Sequence, residues 1–171
     1  MSEQRTPDTT LMRELGFSPQ DLEANRAGQL SEMQHYRLRL RRSRSMWTGV
    51  AVLLLAVFIA SLLIFIGGNG SPILTLIGIG VTICAAAMMG MFTRYWFRLT
   101  TDIQAGTVEA YQGELERVIK PVTRRVLNYL IRVDGAEVYV SKDAFELFEH
   151  KQPYALYRTR HTGTLLAVER L

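Results

Sequence analysis

A chain of 171 residues has room for little more than one small domain, and with 21% charged side chains and a mean hydropathy of +0.06 its averages look like those of a water-soluble protein. The averages hide a division, because no Asp, Glu, Lys, Arg or His occurs between Ser45 and Thr93 and the net charge of +4 is split evenly between the two ends. A basic balance divided in this way speaks for topology and against a nucleic-acid partner, and the single cysteine, Cys84, excludes an intrachain disulfide.

Residues 1–17 read as a flexible segment, polar and turn-prone through Thr10. After it Leu11, Met12, Leu15 and Phe17 make one weak apolar face for a short helix or docking segment. Residues 18–45 read as amphipathic and juxtamembrane helices. Ser18 caps the first, Pro19 suits its first helical position, Asp21 suits its dipole and Gly28 ends it. Ser31 and Gln34 then form a capping box for a second helix, expected to run through Tyr36, Leu38 and Leu40 into the uncharged stretch as one rod.

That stretch is cut by Gly67-Gly-Asn-Gly-Ser-Pro72 into residues 46–66 and 73–93, each long enough, at ~1.5 Å per residue, for a hydrocarbon core of about 30 Å. Two transmembrane helices joined by an extracytoplasmic loop at 67–72 follow. Hiding both runs inside a soluble core asks for more protein than this chain supplies. The first run starts too far into the chain, and is too long, for a secretory signal, so it is expected to stay in the mature protein. Arg37, Arg39, Arg41, Arg42 and Arg44 precede the first span, Arg94 and Arg98 follow the second, and the loop is uncharged. Both termini are therefore expected in the cytoplasm, with the hairpin in the plasma (inner) membrane. The same arginines suit anionic lipid headgroups. Trp47, Tyr95 and Trp96 fit the aromatic belt at one interface. Gly78, Thr82, Ala86 and Gly90, four apart, offer a small-residue stripe for packing against the first span or against a second copy, and Gly49, Ala56, Ala60 and Gly67 are a looser counterpart.

Beyond a juxtamembrane linker at 94–103, residues 104–171 are expected to form a cytoplasmic β domain. Thr107 to Ile119 reads as one bent or broken strand, kinked at Gly113 and ended by Pro121. Arg124–Val133 follows, and Asp134-Gly135 supplies a type I′ turn into Glu137–Val140. Ser141 caps a short helix whose buried side is Ala144, Phe145, Leu147 and Phe148, and a last hairpin joins Pro153–Thr159 to Thr164–Val168. The fold class is a membrane protein: a two-helix transmembrane hairpin with N-terminal amphipathic helices and a small C-terminal antiparallel β domain, a partly open barrel of OB-like or SH3-like kind.

Chemistry is sparse. Cys84, Met88 and Met91 put three soft sulfur groups on one helix face, a candidate Cu(I) site that ordinary apolar filling by methionine explains as well, and no cofactor is expected. The spans carry no ionisable group, only Ser61, Thr75 and Thr82, whose hydroxyls can bond back to their own helix. His150 and His161 with Asp143, Glu146 and Glu149 match no G-x-S-x-G, H-E-x-x-H, P-loop or CxxC pattern, and Glu146 with His150 reads as a solvated i, i+4 pair. Arg158, Arg160 and Arg170 with Tyr129, Tyr139, Tyr154 and Tyr157 have the composition of a single-strand-binding surface, offset by Glu137, Glu146, Glu149 and Glu169 among them. The expected role is a non-enzymatic anchor or scaffold whose partners are the lipid bilayer and a protein, another copy included. The alternatives are an oligomeric channel or transporter subunit and a membrane-tethered nucleic-acid module.

At Asp21-Leu-Glu-Ala-Asn-Arg-Ala-Gly-Gln-Leu-Ser-Glu-Met-Gln34 the chain resembles uncharacterised bacterial two-span membrane proteins that carry D-L-x-x-N-R-x-G-x-L-S-x-x-Q before a helical hairpin, and its tail from Arg132 to Leu171 is similar to theirs. The resemblance implies location and layout, with no activity or site residues attached. Within the segment, Asn25 and Arg26 stand at a helix end where they can hydrogen-bond across the turn, which either docks a partner or folds back on the β domain.

Overall fold

A computed structural model describes residues 9–123 and 126–171. The chain divides into two compact units: one takes both ends, Met1–Tyr36 with Gln104–Leu171, and the other is the middle, Arg37–Ile103.

In the first unit, α1 (Thr9–Leu15) and α2 (Pro19–Arg26) precede the start of α3 (Glu32–Gly68). Five strands follow, β1 (Val108–Thr123), β2 (Val126–Val133), β3 (Ala136–Val140), β4 (Pro153–Thr159) and β5 (Leu165–Arg170), with a short helix, α5 (Lys142–Leu147), between β3 and β4. The sheet is antiparallel throughout, in the order β3-β2-β1-β4-β5. β1 organises it by changing partner along its length. Val108 to Glu114 pairs with β4, and Leu115 to Thr123 pairs with β2.

The long first strand is thus a single element, and the change of partner falls just after Gly113, where a Cβ would lie 3.6 Å from the Asp134 backbone nitrogen. Pro121 does not end it. The strand continues to Thr123, and the pairing with β2 shifts between Pro121 and Thr123, an irregularity of the kind that accommodates a residue with no N–H. The expected β2 start at Arg124 lies outside the described residues. Asp134 and Gly135, at φ 46° and 76°, make the turn into β3, and Ser141 Oγ accepts from the Ala144 N–H at 3.1 Å to cap α5. Among the described residues no ladder joins β3 to β5, so the pairing gives an open five-stranded sheet.

The core of this unit shows why the N-terminus belongs to it. In β4 Tyr154, Ala155, Leu156 and Tyr157 are all buried, and in β5 Leu166 to Glu169 are, so both faces of this hairpin are covered. Leu11, Met12, Phe17 and Leu22 share one apolar cluster with Leu115, Ile131, Phe145, Phe148 and the β4–β5 residues. The apolar face expected of a short helix or docking segment after Thr10 is α1 and the turn after it: Leu11, Met12 and Phe17 enter that core and Leu15 packs against it.

In the second unit, α3 and α4 (Pro72–Ala105) are joined by Asn69–Ser71. Gly67 and Gly68 remain helical, Gly70 takes φ +138°, and Pro72 opens α4 as its first residue. The expected linker at 94–103 is helix. No Gly or Pro interrupts the chain there, and Thr100 and Thr101 donate to the carbonyls of Trp96 and Phe97 within the continuing helix. Both helices are long and apolar enough to cross a membrane, and only 11% and 6% of their most apolar windows are buried.

Candidate functional site: a clasp closed by the N-terminal segment

The motif singled out in the sequence, Asp21 to Gln34, is a set of joints, and nearly every named position in it has a physical task. Asp21 sits at the third residue of α2. Its Oδ2 accepts from the Ser18 N–H at 2.9 Å while Ser18 Oγ accepts from the Asp21 N–H at 3.2 Å, and its Oδ1 accepts from the Ser31 hydroxyl. One carboxylate therefore ties the start of α2 to the start of α3. Leu22 enters the core. Gly28 turns the chain at φ +75°, a conformation that costs a residue with a Cβ roughly 1–2 kcal/mol. Beyond it the backbone adds a short edge to the sheet: the Val108 N–H donates to Gly28 O, and the Leu30 N–H to Gly106 O, each at 2.9 Å. Ser31 then caps α3 reciprocally with Gln34, whose Nε2 lies 3.5 Å from the Leu166 carbonyl of β5.

Arg26 closes the clasp. Its Nε donates to Glu169 Oε2 at 3.0 Å, its Nη2 reaches the same oxygen, and Tyr157 OH donates to Glu169 Oε1 at 2.7 Å. The hydrogen bond to Glu169 raises the Arg26 pKa above its ordinary value. Burial, reinforced by the bond to Glu169, pushes the Tyr157 phenol up to about 12. A residue near the N-terminal end and one near the C-terminal end thus hold a fixed charge pair beside a neutral phenol. Asn25 is 1% exposed, and neither its Oδ1 nor its Nδ2 has a hydrogen-bond partner among the described residues. Sequence reasoning found Asn25 and Arg26 as hydrogen-bonding candidates but not their surroundings, and it missed Glu169 and Tyr157 as a pair. The available signal was the unbroken apolar runs at 154–157 and 165–168, which ask for cover on both faces of a hairpin.

The other candidates are spread out. Among the arginines, Arg158 stacks 4.4 Å from the Tyr111 ring centroid and donates to its hydroxyl, Arg160 faces Glu109 at 3.6 Å and Arg170 faces Glu149 at 3.0 Å. Tyr154 and Tyr157 are buried, which leaves Tyr139 as the openly exposed tyrosine of that group. Glu146 meets Lys142 rather than His150, and His150 Nδ1 accepts from the Arg117 N–H at 3.2 Å. Hydrogen bonding to Arg132 first, and then to Lys120, lowers the Glu137 pKa on the outer strands.

In the hairpin, Gly78 lies in the seam, where a Cβ would stand 2.7 Å from Ile64 Cγ1 and 3.1 Å from Ala60 O. Thr82, Ala86 and Gly90 are exposed, because a step of four residues gains about 40° on a helix of 3.6 residues per turn and Gly90 ends about 120° round from Gly78. The first-span set keeps its face: Gly49, Ala60 and Gly67 are buried and Ala56 half-buried. Thr82 Oγ1 donates to Gly78 O, and Thr48 to Arg44 O. Cys84 and Met88 line a hollow beside the seam, and Met91 is exposed. Arg39, Arg41, Arg44, Arg94 and Arg98 are exposed, as are Arg37 and Trp47; Tyr95 is half-buried, and Arg42 lies 5.8 Å over the ring of Trp96. Comparison with protein-family models, with curated proteins and with solved structures finds no match for this chain.

Proposed function

We propose that the protein is an integral membrane anchor: α3 and α4 cross the bilayer as a hairpin, and the unit built from both chain ends stands on the cytoplasmic side and presents its β sheet to a protein partner. The observation that carries this reading is the shared core. Leu11, Phe17 and Leu22 pack with Leu156 and Val168, and Arg26 binds Glu169, so the segments before and after the hairpin belong to one folded body and must lie on one side of any membrane that the hairpin spans. An even number of crossings satisfies that condition, and the arginine bias selects the cytoplasm. The exposed apolar belt supports lipid as the surroundings of the helices, since a soluble core helix would be covered.

An anchor accounts for the sheet better than transport does. Hollows along the hairpin are lined mainly by apolar side chains, with Ser61, Thr82 and Cys84 as their polar members and no Asp, Glu, Lys, Arg or His to carry a substrate or a proton. The strand order with α5 between β3 and β4 supports an open OB-like barrel, in which the free edges of β3 and β5 are the natural places for a partner to add a strand. In this chain the motif from Asp21 to Gln34 then serves to clasp the N-terminal segment to that domain. Reporter fusions at both ends with membrane fractionation test the placement: both reporters active on the cytoplasmic side of a carbonate-resistant membrane fraction is the expected result, and reporters on opposite faces overturn it. Crosslinking in native membranes followed by purification tests the scaffold role, and reproducible conductance in liposomes would replace it with a channel.

A further inference from the structure

We infer that β3 pairs edge to edge with β3 of a second copy of this chain, antiparallel and centred on Val138. The inference names the protein partner of the membrane-anchor reading and rests on it. β3 is the outermost strand, and among the described residues only β2 pairs with it. Bonds between antiparallel strands alternate in direction, so the turn decides which backbone groups are already committed. Asp134-Gly135 is a two-residue turn, whose flanking pair, Val133 and Ala136, exchanges both backbone bonds. With no shift in the β2–β3 register, Ala136, Val138 and Val140 bond to β2, and the N–H and C=O groups of Glu137 and Tyr139 point to the open edge. That edge is unguarded. β3 holds no Pro, Lys or bulge, the devices that keep edge strands apart, whereas along β5 Gln34 Nε2 approaches the Leu166 carbonyl and Arg26 binds Glu169.

Register and charge both favour a second copy as the occupant. Centred on Val138, each Glu137 stands opposite the partner's Tyr139, and the two pairs exchange backbone bonds through every group that faces the edge. A register centred on Glu137 would set two carboxylates face to face, and one centred on Tyr139 would draw in Ser141, which caps α5. On the core side Ala136, Val138 and Val140 meet the same three residues, so one apolar row continues across the join. On the outer side Lys120 and Arg132 hold Glu137, and Glu116 meets Arg132, so the charges beside the edge cancel and two copies approach without net repulsion. Tyr139, 63% exposed, gains a cross-strand neighbour. A five-residue strand buries less than a stable soluble dimer needs, so the pairing depends on copies confined to one membrane at high effective concentration.

The test uses the full chain in phosphatidylcholine vesicles, with Cys84→Ala and Val138→Cys, and follows disulfide dimers on non-reducing gels under mild oxidation. At the centre of such a pair the Cα atoms stand about 4.5 Å apart, within disulfide range. Val138 is only 5% exposed, so random collision contributes little, and rapid dimer formation is the expected result. Tyr139→Cys in the same background is far more exposed, yet it should crosslink on the order of ten-fold more slowly, because its two copies stand two residues out of register. Adding Tyr139→Pro to Val138→Cys removes two of the four bridging bonds and none to β2, and should slow dimer formation on the order of ten-fold. Tyr139→Lys, a common guard of edge strands, should act likewise, and both variants should keep the amide protection of β5. Val138→Cys that stays monomeric, a faster Tyr139→Cys, or dimer formation indifferent to both added variants overturns the pairing and leaves the anchor reading intact. Release of the unaltered chain from membranes by carbonate overturns the anchor reading itself. In native membranes, a disulfide from Val138→Cys to a different protein would give the edge to another partner and overturn the pairing as well.

Discussion

Cutting the contact between Arg26 and Glu169 asks whether the two ends of the chain depend on each other for stability. Arg26→Ala removes both bonds to Glu169 Oε2, and the glutamate side chain is only 6% exposed. A hydrogen bond to a charged group contributes about 1.5–3 kcal/mol, and stranding a buried carboxylate adds to the loss. Arg26, however, is 43% exposed, and water screens its charge, which moves the net effect toward the lower end, about 2 kcal/mol. In a unit of roughly 100 residues that lowers Tm by about 8–16 °C. Because helix α3 and α4 dominate the circular dichroism, the readout is amide hydrogen exchange in β5 and α2 during a thermal ramp of the full-length protein in detergent. Both elements should lose protection together. In a double-mutant cycle Arg26→Ala with Glu169→Gln should cost little more than Arg26→Ala alone, a coupling of about 1–2 kcal/mol. A Tm shift below about 2 °C with unchanged exchange would refute the clasp as a stabilising joint.

Replacing Asn25 by Leu should raise Tm, since a buried amide without partners costs about 1–3 kcal/mol and Leu has a similar volume; a fall in Tm would reveal a polar neighbour that the amide serves. In the hairpin, Gly78→Ala should cost about 1–3 kcal/mol through the clash with Ile64 and Ala60 O, and Gly67→Ala should act likewise through the Thr75 backbone, whereas Gly90→Ala should be silent. The mobility of the hairpin on denaturing gels, together with its resistance to unfolding in detergent, reports the difference, and equal behaviour of all three would refute the seam. In alkali, the Tyr157 phenol should ionise near pH 12, followed by absorbance. Between pH 10 and about 12 the folded chain keeps a proton that the unfolded chain has lost, so this contribution to stability is complete below pH 10 and disappears as pH rises to about 12. Tyr157→Phe should flatten that part of the profile.

What the sequence made legible was whatever depends on local rules. Periodicity and turn chemistry located β4 to the residue, the Asp134-Gly135 turn, the Ser18, Ser31 and Ser141 caps and the two apolar helices. Local rules failed where a distant partner decides. Pro121 looks like a stop, yet near the end of a two-stranded ribbon its missing N–H is tolerated, and the linker after Thr93 contains no residue that would break a helix, so α4 simply continues. The small-residue stripe on α4 was read by its spacing of four, whereas a face that stays in contact over 18 residues needs the 3.6 average that Gly49, Ala56, Ala60 and Gly67 achieve. The clasp was half visible. Arg26 and Glu169 are 143 positions apart, and no pattern in one sequence pairs them.

On the membrane-anchor reading proposed above, the shared core also makes a demand on insertion that charge alone does not. Positive-inside bias acts on each flank separately, so a hairpin held only by its arginines could insert with either end misplaced when the bias is weakened. Here the segments up to Tyr36 and from Gln104 fold together, and their separation would expose Leu22, Leu156 and the Glu169 carboxylate at once. Neutralising Arg37, Arg39, Arg41, Arg42 and Arg44 as a set should therefore leave both ends on the original side or move both, and reporters at the two termini should agree in every molecule that resists proteolysis. A stable population with one end on each face would mean that the N-terminal helices do not need the sheet, and the reasoning from core to topology would fail with it.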